Sequence, residues 1–335
     1  MAATKVLVVD DSLTMRALIS GALEKIPNVT IVGLADGAAE AREMVAECRP
    51  DVMTLDVEMP GMSGLEYLAE IMETKPMPVI MFSTRTTDGA ADSIEALRLG
   101  AIDCFPKPKV AAPKELESII VKLGKRIKAA KNVELKGRAP VVKATPPINW
   151  NGRLVVLGGD ASSTTKFFEI LGGFPGNCPP TLVVQHLGEG LVDGMVAKLN
   201  EQVAPKVVVA ADGMKIEQGH VYFAPAGEHH MVVDAWPDGH IRFLAREPVA
   251  GERPSISLLF AAAAKAAGNN AVGVLLMDGN EDGGGGLKAL NGAGSYAFTP
   301  DAAAGAGAYT LSRNITSQPV PPGALPASIL KMCSK

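Results

Sequence analysis

The chain is poor in cysteine, has no long apolar run and carries no excess of positive charge, and each shortage removes a class of protein. Only four cysteines stand in 335 residues, at Cys48, Cys104, Cys178 and Cys333, and none forms a CxxC pair. Scattered thiols in a chain with no export signal are expected to be reduced and structural, which excludes a disulfide framework. His220, His229, His230 and His240 have no helical ligand spacing and no cysteine at zinc-site distance, so a metal site there is not expected. They are expected on a hairpin at a sheet edge. The run Gly283–Gly286 lacks the Gly-Lys-Ser/Thr ending of a phosphate loop. No apolar stretch approaches the roughly 20 residues of a bilayer span. The N-terminus, MAATKVLVVDDS, runs directly into a strand, so the expectation is a cytoplasmic protein without membrane insertion. A formal net charge of −4 and no helix-turn-helix pattern with a basic helix argue against nucleic acid as a partner.

What the chain does contain is an α/β pattern repeated twice. Its length and 47% hydrophobic content suit two domains with separate cores. In the first third, four short apolar runs (Lys5–Val9, Asp51–Leu55, Pro78–Phe82 and Ala101–Phe105) alternate with helix-like segments, as a parallel sheet requires. Such a sheet binds ligands beyond the carboxyl ends of its strands. Asp10, Asp11, Asp56, Ser83 and Lys107 all fall there. Taken singly, an Asp-Asp pair caps a helix and a loop lysine is solvated; the set in order is a phosphoryl site. Three acids, Asp10, Asp11 and Asp56, suit Mg²⁺. Asp56 is the carboxylate acceptor, and Ser83 and Lys107 are the partners of the phosphoryl oxygens.

The motifs VLVVDDS, TLDVEMPGMSGLEYL, MFST and CFPKP resemble a two-component response-regulator receiver domain. The resemblance covers Ala3 to Lys131 and implies phosphorylation of Asp56 by a partner histidine kinase. A helix is predicted over Pro113–Lys131, with Leu116, Ile119, Ile120, Leu123 and Ile127 on one face. The proline-bearing stretch that follows reads as a linker. The organisation is therefore a receiver at 1–131, a linker at 132–151 and a second α/β domain at 152–335.

In that second domain, strands are predicted at Arg153–Leu157, Thr181–Gln185, His220–Ala224 and Val272–Met277. Helices are predicted at Thr164–Leu171, Gly194–Glu201, Ser255–Ala267 and Gly284–Ala293. A mainly parallel sheet with an edge hairpin from Gly219–Val233 and His240–Leu244 follows. Chemistry is expected at Gly158–Ser163, His186 and Asp278–Asp282. VVLGGDASST, LVVQHL, VYFAPAGEHH, ERPSISLLF and AVGVLLMDGNEDGGGG resemble the chemotaxis protein-glutamate methylesterases of the CheB type, from Arg153 to Gly294. That family hydrolyses glutamyl methyl esters, and many members deamidate glutamines, on methyl-accepting chemoreceptors. Its Ser, His and Asp follow in chain order. By motif, His186 and Asp282 match the second and third, and His229 matches the histidine of the Ala-Pro-Gly-Gly-x-His stretch. The resemblance implies no cofactor in this domain.

The serine position is different. Ungapped alignment places Asp160 there, with Ser162-Ser163 in place of Gly-Gly and Glu281 in place of the asparagine before Asp282. A carboxylate has no proton for a histidine to remove, and a His186 lying between Asp160 and Asp282 is expected to be held as imidazolium. Ser162 and Ser163 read first as helix-start capping residues and secondly as substitute nucleophiles. Two outputs remain open from the sequence. One is a phosphorylation-activated esterase/deamidase; the other is a catalytically inactive, phosphorylation-switched binding module.

Overall fold

The computed structural model describes residues 3–83, 87–107, 123–124, 126–127, 130, 144–188, 190–277, 282–300, 317–321 and 323–335. The chain divides into two compact units, Met1–Ala139 and Pro140–Lys335.

The first unit runs β1 (Thr4–Val9), α1 (Leu13–Leu23), β2 (Val29–Ala35), α2 (Ala38–Cys48), β3 (Val52–Asp56), α3 (Gly64–Thr74), β4 (Val79–Ser83), α4 (Thr87–Leu99) and β5 (Asp103–Pro106). All pairings are parallel, in the order β2-β1-β3-β4-β5. Helices cover both faces of such a sheet, which is why β3 and β4 are buried along their whole length. Val6, Val8, Ile19, Leu23, Ile80 and Phe105 form the core, together with Leu123 and Ile127. Each such side chain contributes about 1.5–3 kcal/mol on full burial. The predicted helix Pro113–Lys131 otherwise lies mostly outside the described residues. Ser12 caps α1, and Ser63 with Glu66 forms a capping box on α3.

Where α3 begins, the chain comes very close to β3. A Cβ on Gly64 would sit 1.8 Å from the carbonyl oxygen of Asp56. The Gly64 N–H donates to the Val57 carbonyl at 2.9 Å. Only glycine permits this approach, which sets the turn that follows Asp56.

The second unit runs β6 (Leu154–Asp160), one helical turn (Ala161–Ser163), α5 (Thr164–Gly172), β7 (Thr181–His186), α6 (Leu191–Asn200), β8 (Lys206–Val209), β9 (His220–Phe223), β10 (His230–Val233), β11 (Ile241–Leu244), α7 (Ile256–Ala267), β12 (Ala271–Leu275), α8 (Gly284–Gly292), β13 (Tyr296–Pro300), β14 (Gln318–Val320) and α9 (Leu325–Cys333). Seven strands form one sheet in the order β14-β13-β12-β6-β7-β9-β8, with parallel pairings throughout. The order reverses at β6, which pairs with β7 on one side and β12 on the other, so a crevice opens beyond its carboxyl end.

The antiparallel hairpin is present, but β10 and β11 form a two-stranded sheet of their own. His220 is in the main sheet, stacked on Tyr222 with ring centroids 5.8 Å apart. Gly286 serves packing rather than flexibility: a Cβ there would lie 2.5 Å from the Phe260 Cβ, so its absence lets α8 lie against α7.

The far end of the predicted linker belongs structurally to the second unit. The Thr145 hydroxyl donates to the Gly173 carbonyl at 3.0 Å, the Asn177 amide bonds both backbone groups of Ile148, and Trp150 bridges to Ser334. Three of the four free cysteines are buried. Burial pushes the Cys178 and Cys333 thiols up to about 12, as structural thiols require. No helix among the described residues is long and apolar enough to cross a membrane.

Replacing Gly64 with alanine forces α3 away from β3. The expected result is a loss of about 1–3 kcal/mol in urea unfolding of the first unit, with slower phosphorylation of Asp56 as its turn shifts. A variant of unchanged stability would show that the close approach is dispensable.

Candidate functional sites

In the first unit, the strand ends bring four of the five expected residues into one cluster. Asp10 follows β1, Asp56 ends β3 and Lys107 follows β5. Asp10 and Asp56 are buried, whereas Asp11 is exposed. One ligand oxygen from each of the three acids lies within 4.8 Å of the others. The Lys107 ammonium donates to Asp56 Oδ2 at 2.6 Å and stands 3.6 Å from Asp10 Oδ2. Asp10 Oδ1 accepts from the Ser12 N–H at 2.9 Å, but the buried Oδ2 accepts no hydrogen bond. A buried carboxylate oxygen without a donor, inside an acidic trio, fits a hard divalent cation.

The electrostatics carry the same signature. Burial pushes Asp56 up to about 6; the Lys107 contact works against this rise and the neighbouring Asp10 adds to it. Asp10 is raised by burial as well, opposed by the Ser12 N–H and by Lys107. For Lys107, burial disfavours the ammonium, but Asp56 and Asp10 outweigh it and hold its pKa above the ordinary value. One cation among three acids leaves surplus negative charge for a metal ion to neutralise.

Ser83, the fifth residue, is turned to another partner. Its hydroxyl lies 2.8 Å from that of Ser93 on α4, and Ser93 gives its own hydrogen to the Gly89 carbonyl at 2.7 Å. Ser83 is therefore the donor of the pair. Ser93 was not legible as a partner, since a serine within a helix carries no motif.

In the second unit, β6 and β7 end together, with Asp160 in register with His186. The His186 ring is bracketed by carboxylates. Nε2 lies 3.3 Å from Asp282 Oδ2 and Nδ1 lies 4.0 Å from Glu252 Oε2, and neither ring nitrogen is aligned in a hydrogen bond. Burial disfavours its charge, but Asp282 first, then Glu252 and Asp160, hold its pKa above the ordinary value. The expected bracket of Asp160 and Asp282 is corrected in one member. Glu252 faces the second nitrogen, while Asp160 acts as the weakest of the three charges. Glu252 sits in a tight turn closed by the Val249–Glu252 bridge, as the first residue of the ERPSISLLF stretch, a motif that gives it no role at His186.

Asp282 is fixed by the start of α7. Its Oδ1 accepts from the Ser255 hydroxyl and from the Ser257 and Gly283 N–H groups, all at 2.9 Å, and its Oδ2 accepts from the Ile256 N–H at 2.6 Å. Burial alone would raise its pKa; His186 and these donors, at the positive end of a helix, hold it below the ordinary carboxylate value. Asp278–Glu281 lie outside the described residues. Arg253 donates to the Gly227 and Arg246 carbonyls at 3.0 and 3.2 Å, so it ties two loops together.

The histidine that matters in the hairpin is His230. It is fully buried, its Nδ1 accepts the Ser255 N–H at 3.0 Å and its Nε2 donates to the Glu247 carbonyl at 3.1 Å. His229, expected to be the matched residue, is exposed and stacks on Phe243. His230 opens β10, whose four residues are all buried, whereas His229 precedes the strand and is exposed.

Of the two expected caps, Ser163 is one: its Oγ accepts the Asp160 N–H at 3.4 Å in a capping box on the turn before α5, though it makes no side-chain cap on α5 itself. Ser162 Oγ donates to Asp160 Oδ1 at 2.6 Å. Ser163, fully buried, bonds the same oxygen at 3.1 Å and the Leu276 carbonyl at 2.9 Å. An aspartate that already accepts from the turn draws the hydroxyls inward.

An acidic cluster at the strand ends of the first unit, followed in the chain by a His-Asp centre at a sheet switch point, is the arrangement of a response regulator with a hydrolase-type domain. Residues 6–120 match the family of response regulator receiver domains, and residues 155–322 match the CheB methylesterase family. A protein-glutamate methylesterase/protein-glutamine glutaminase of Rhizobium johnstonii is 42% identical, over 88% of this chain and 85% of its own. The namesake of Caulobacter vibrioides is 40% identical, over 90% of this chain and 89% of its own. The crystal structure of the Thermotoga maritima CheB methylesterase catalytic domain superposes with a TM-score of 0.51 at 22% identity. It covers 54% of this chain and 99% of that one, and shows the common fold. The chain belongs to the CheB methylesterase family of two-domain chemotaxis response regulators.

Two titrations test these electrostatics. Asp56 has a folded pKa above its unfolded value, so it stabilises the fold when protonated; that contribution is complete below about pH 4 and lost as the pH rises through about 6. The metal-free first unit is therefore expected to lose stability across that window in urea titrations. Asp56→Asn should flatten the slope, and a slope unchanged by it would place the cause elsewhere. His186 should titrate above about 6.5 by NMR, and Glu252→Gln should lower its midpoint. A midpoint indifferent to Glu252 would break the bracket.

Proposed function

We propose that this chain is a chemotaxis response regulator switched by phosphorylation of Asp56 and directed at the methyl-accepting chemoreceptors. The observation that carries the first part is the Lys107 ammonium at 2.6 Å from a buried Asp56, beside the donor-less Asp10 oxygen. A partner histidine kinase supplies the phosphoryl group. Asp10, Asp11 and Asp56 would hold Mg²⁺, which supplies neutralisation of the phosphoryl oxygens when bound. Lys107 moves from the Asp56 carboxylate to a phosphoryl oxygen, as the stronger charge-assisted partner. Ser83 gives up Ser93 and donates its one hydrogen to another phosphoryl oxygen, so α4 loses a buried hydrogen bond worth about 1 kcal/mol.

For the output domain, the family's reaction is hydrolysis of glutamyl methyl esters and deamidation of glutamines. What supports it here is the retention of His186, with a neighbouring Asp282 held by four donors, at the switch point of the sheet. The second reading is a binding module that has lost catalysis. It is favoured by the carboxylate at Asp160 and by the carboxylates near both ring nitrogens of His186, which favour the imidazolium over the neutral ring that a general base requires.

Methanol release from methylated chemoreceptor membranes decides between them. The full chain is expected to release methanol, faster with acetyl phosphate and Mg²⁺, and Asp56→Asn should abolish the increase. No release from the unmodified chain, with release gained by Asp160→Ser, would establish the binding module instead.

A further inference from the structure

We propose that Ser162 is the nucleophile of the output domain and that Asp160, rather than His186, takes its proton. The inference rests on the ester-hydrolysing reading above and assigns its chemistry to different atoms.

The two candidate hydroxyls are not equivalent. Ser163 is fully buried and engaged with the Leu276 carbonyl, so no substrate carbonyl reaches it. Ser162 is partly exposed, and its hydroxyl makes a 2.6 Å bond to Asp160 Oδ1. That length falls in the range of charge-assisted O–H···O⁻ bonds, in which the hydroxyl proton is already directed at its acceptor. Asp160 is buried and held in place as the cap of the turn that bears Ser162. The pair also lies where the reaction needs it. Asp160 is in register with His186, and the turn leads directly into α5, whose positive end faces negative charge developing on a carbonyl oxygen. His186 is the poorer base, because the carboxylates of Asp282 and Glu252, 3.3 and 4.0 Å from its two nitrogens, favour its charged form. Its role in this arrangement is that of a cation in register with Asp160, while Asp282 positions the ring.

The step balances without a further reactant. Ser162 Oγ bonds the ester carbonyl carbon as its proton passes to Asp160 Oδ1. The carbon–methoxy bond then breaks, and the leaving oxygen takes that proton as methanol. A water molecule attacks the acyl-serine, giving one proton to Asp160; the serine oxygen leaves with that proton, and the new glutamyl carboxyl on the receptor releases the water's other proton to solvent. No base other than Asp160 enters the step.

The test uses diisopropyl fluorophosphate on the full chain with acetyl phosphate and Mg²⁺, read by peptide mass spectrometry. Attack by Ser162 forms a P–O bond, breaks P–F and releases HF, leaving a stable adduct. The expected result is a single adduct on Ser162, absent from Ser162→Ala. Asp160→Asn, which keeps an acceptor for the turn, should slow labelling about a hundredfold. An adduct on Ser163, no adduct, or an unchanged rate in Asp160→Asn would overturn the assignment; the unmodified chain gives the first two answers whether or not the variants fold. Methanol release without a Ser162 adduct would remove the dyad and leave the esterase reading. A Ser162 adduct without methanol release would retain the dyad and remove the chemoreceptor ester as its substrate.

Discussion

A parallel strand delivers its last residue to one edge of the sheet, and nearly every residue with chemistry in this chain is delivered that way. Asp56, Ser83, Asp160 and His186 are the final residues of β3, β4, β6 and β7, and Asp10 and Lys107 come one residue after β1 and β5. The strands before them are almost wholly buried, and Asp56, Ser83 and Asp160 are buried with them, so these polar groups are answered by neighbouring side chains and backbone rather than by water. The two units, unrelated in strand order, therefore build their sites by the same rule. What differs is how each handles charge that the sheet draws out of water.

In the first unit the charge is left incompletely answered. Asp10 and Asp56 are buried beside one lysine, and one Asp10 oxygen has no donor. Such a site is costly when empty and gains on binding a cation and then a phosphoryl group, which gives it two states. In the second unit the charge on Asp282 is answered fully, by the N–H groups of Ile256, Ser257 and Gly283 and by the Ser255 hydroxyl. His230 steadies that cradle from the hairpin by accepting the Ser255 N–H. A carboxylate held this way is rigid, and rigidity is what a residue that orients a histidine requires.

Much of this was legible because it is carried by local pattern. The apolar runs of β1, β3, β4 and β5, and the acids, serine and lysine at their ends, lie within a few residues of one another in sequence. His186 and Asp282 were legible from motifs, and Ser255 as a helix cap was legible from the Arg-Pro-Ser stretch before α7. The partners that arrive from elsewhere were not. Glu252 reaches His186 from 66 positions away in a turn with no periodic signal. The burial of His230 but not His229 depends on where β10 begins, and a strand boundary is poorly marked by local pattern. Short strands such as β8 and β14, four and three residues long, are too brief to show a period.

The serine position shows where pattern and physics part. By alignment, Asp160 is a lost nucleophile, and substitution of a hydroxyl by a carboxylate looks like the end of the chemistry. In space, the same carboxylate is the acceptor of a 2.6 Å bond from a neighbouring, partly exposed serine. A carboxylate that cannot attack an ester can still accept a proton, so under the proposed dyad the residue at this position would serve as base rather than nucleophile. The second carboxylate at His186, from Glu252, fits that exchange: a histidine relieved of the base role is free to be held as a cation. Asp160, Ser162, His186 and Glu252 thus make one electrostatic arrangement, in which a hydroxyl is bonded to one carboxylate and an imidazole lies near two others.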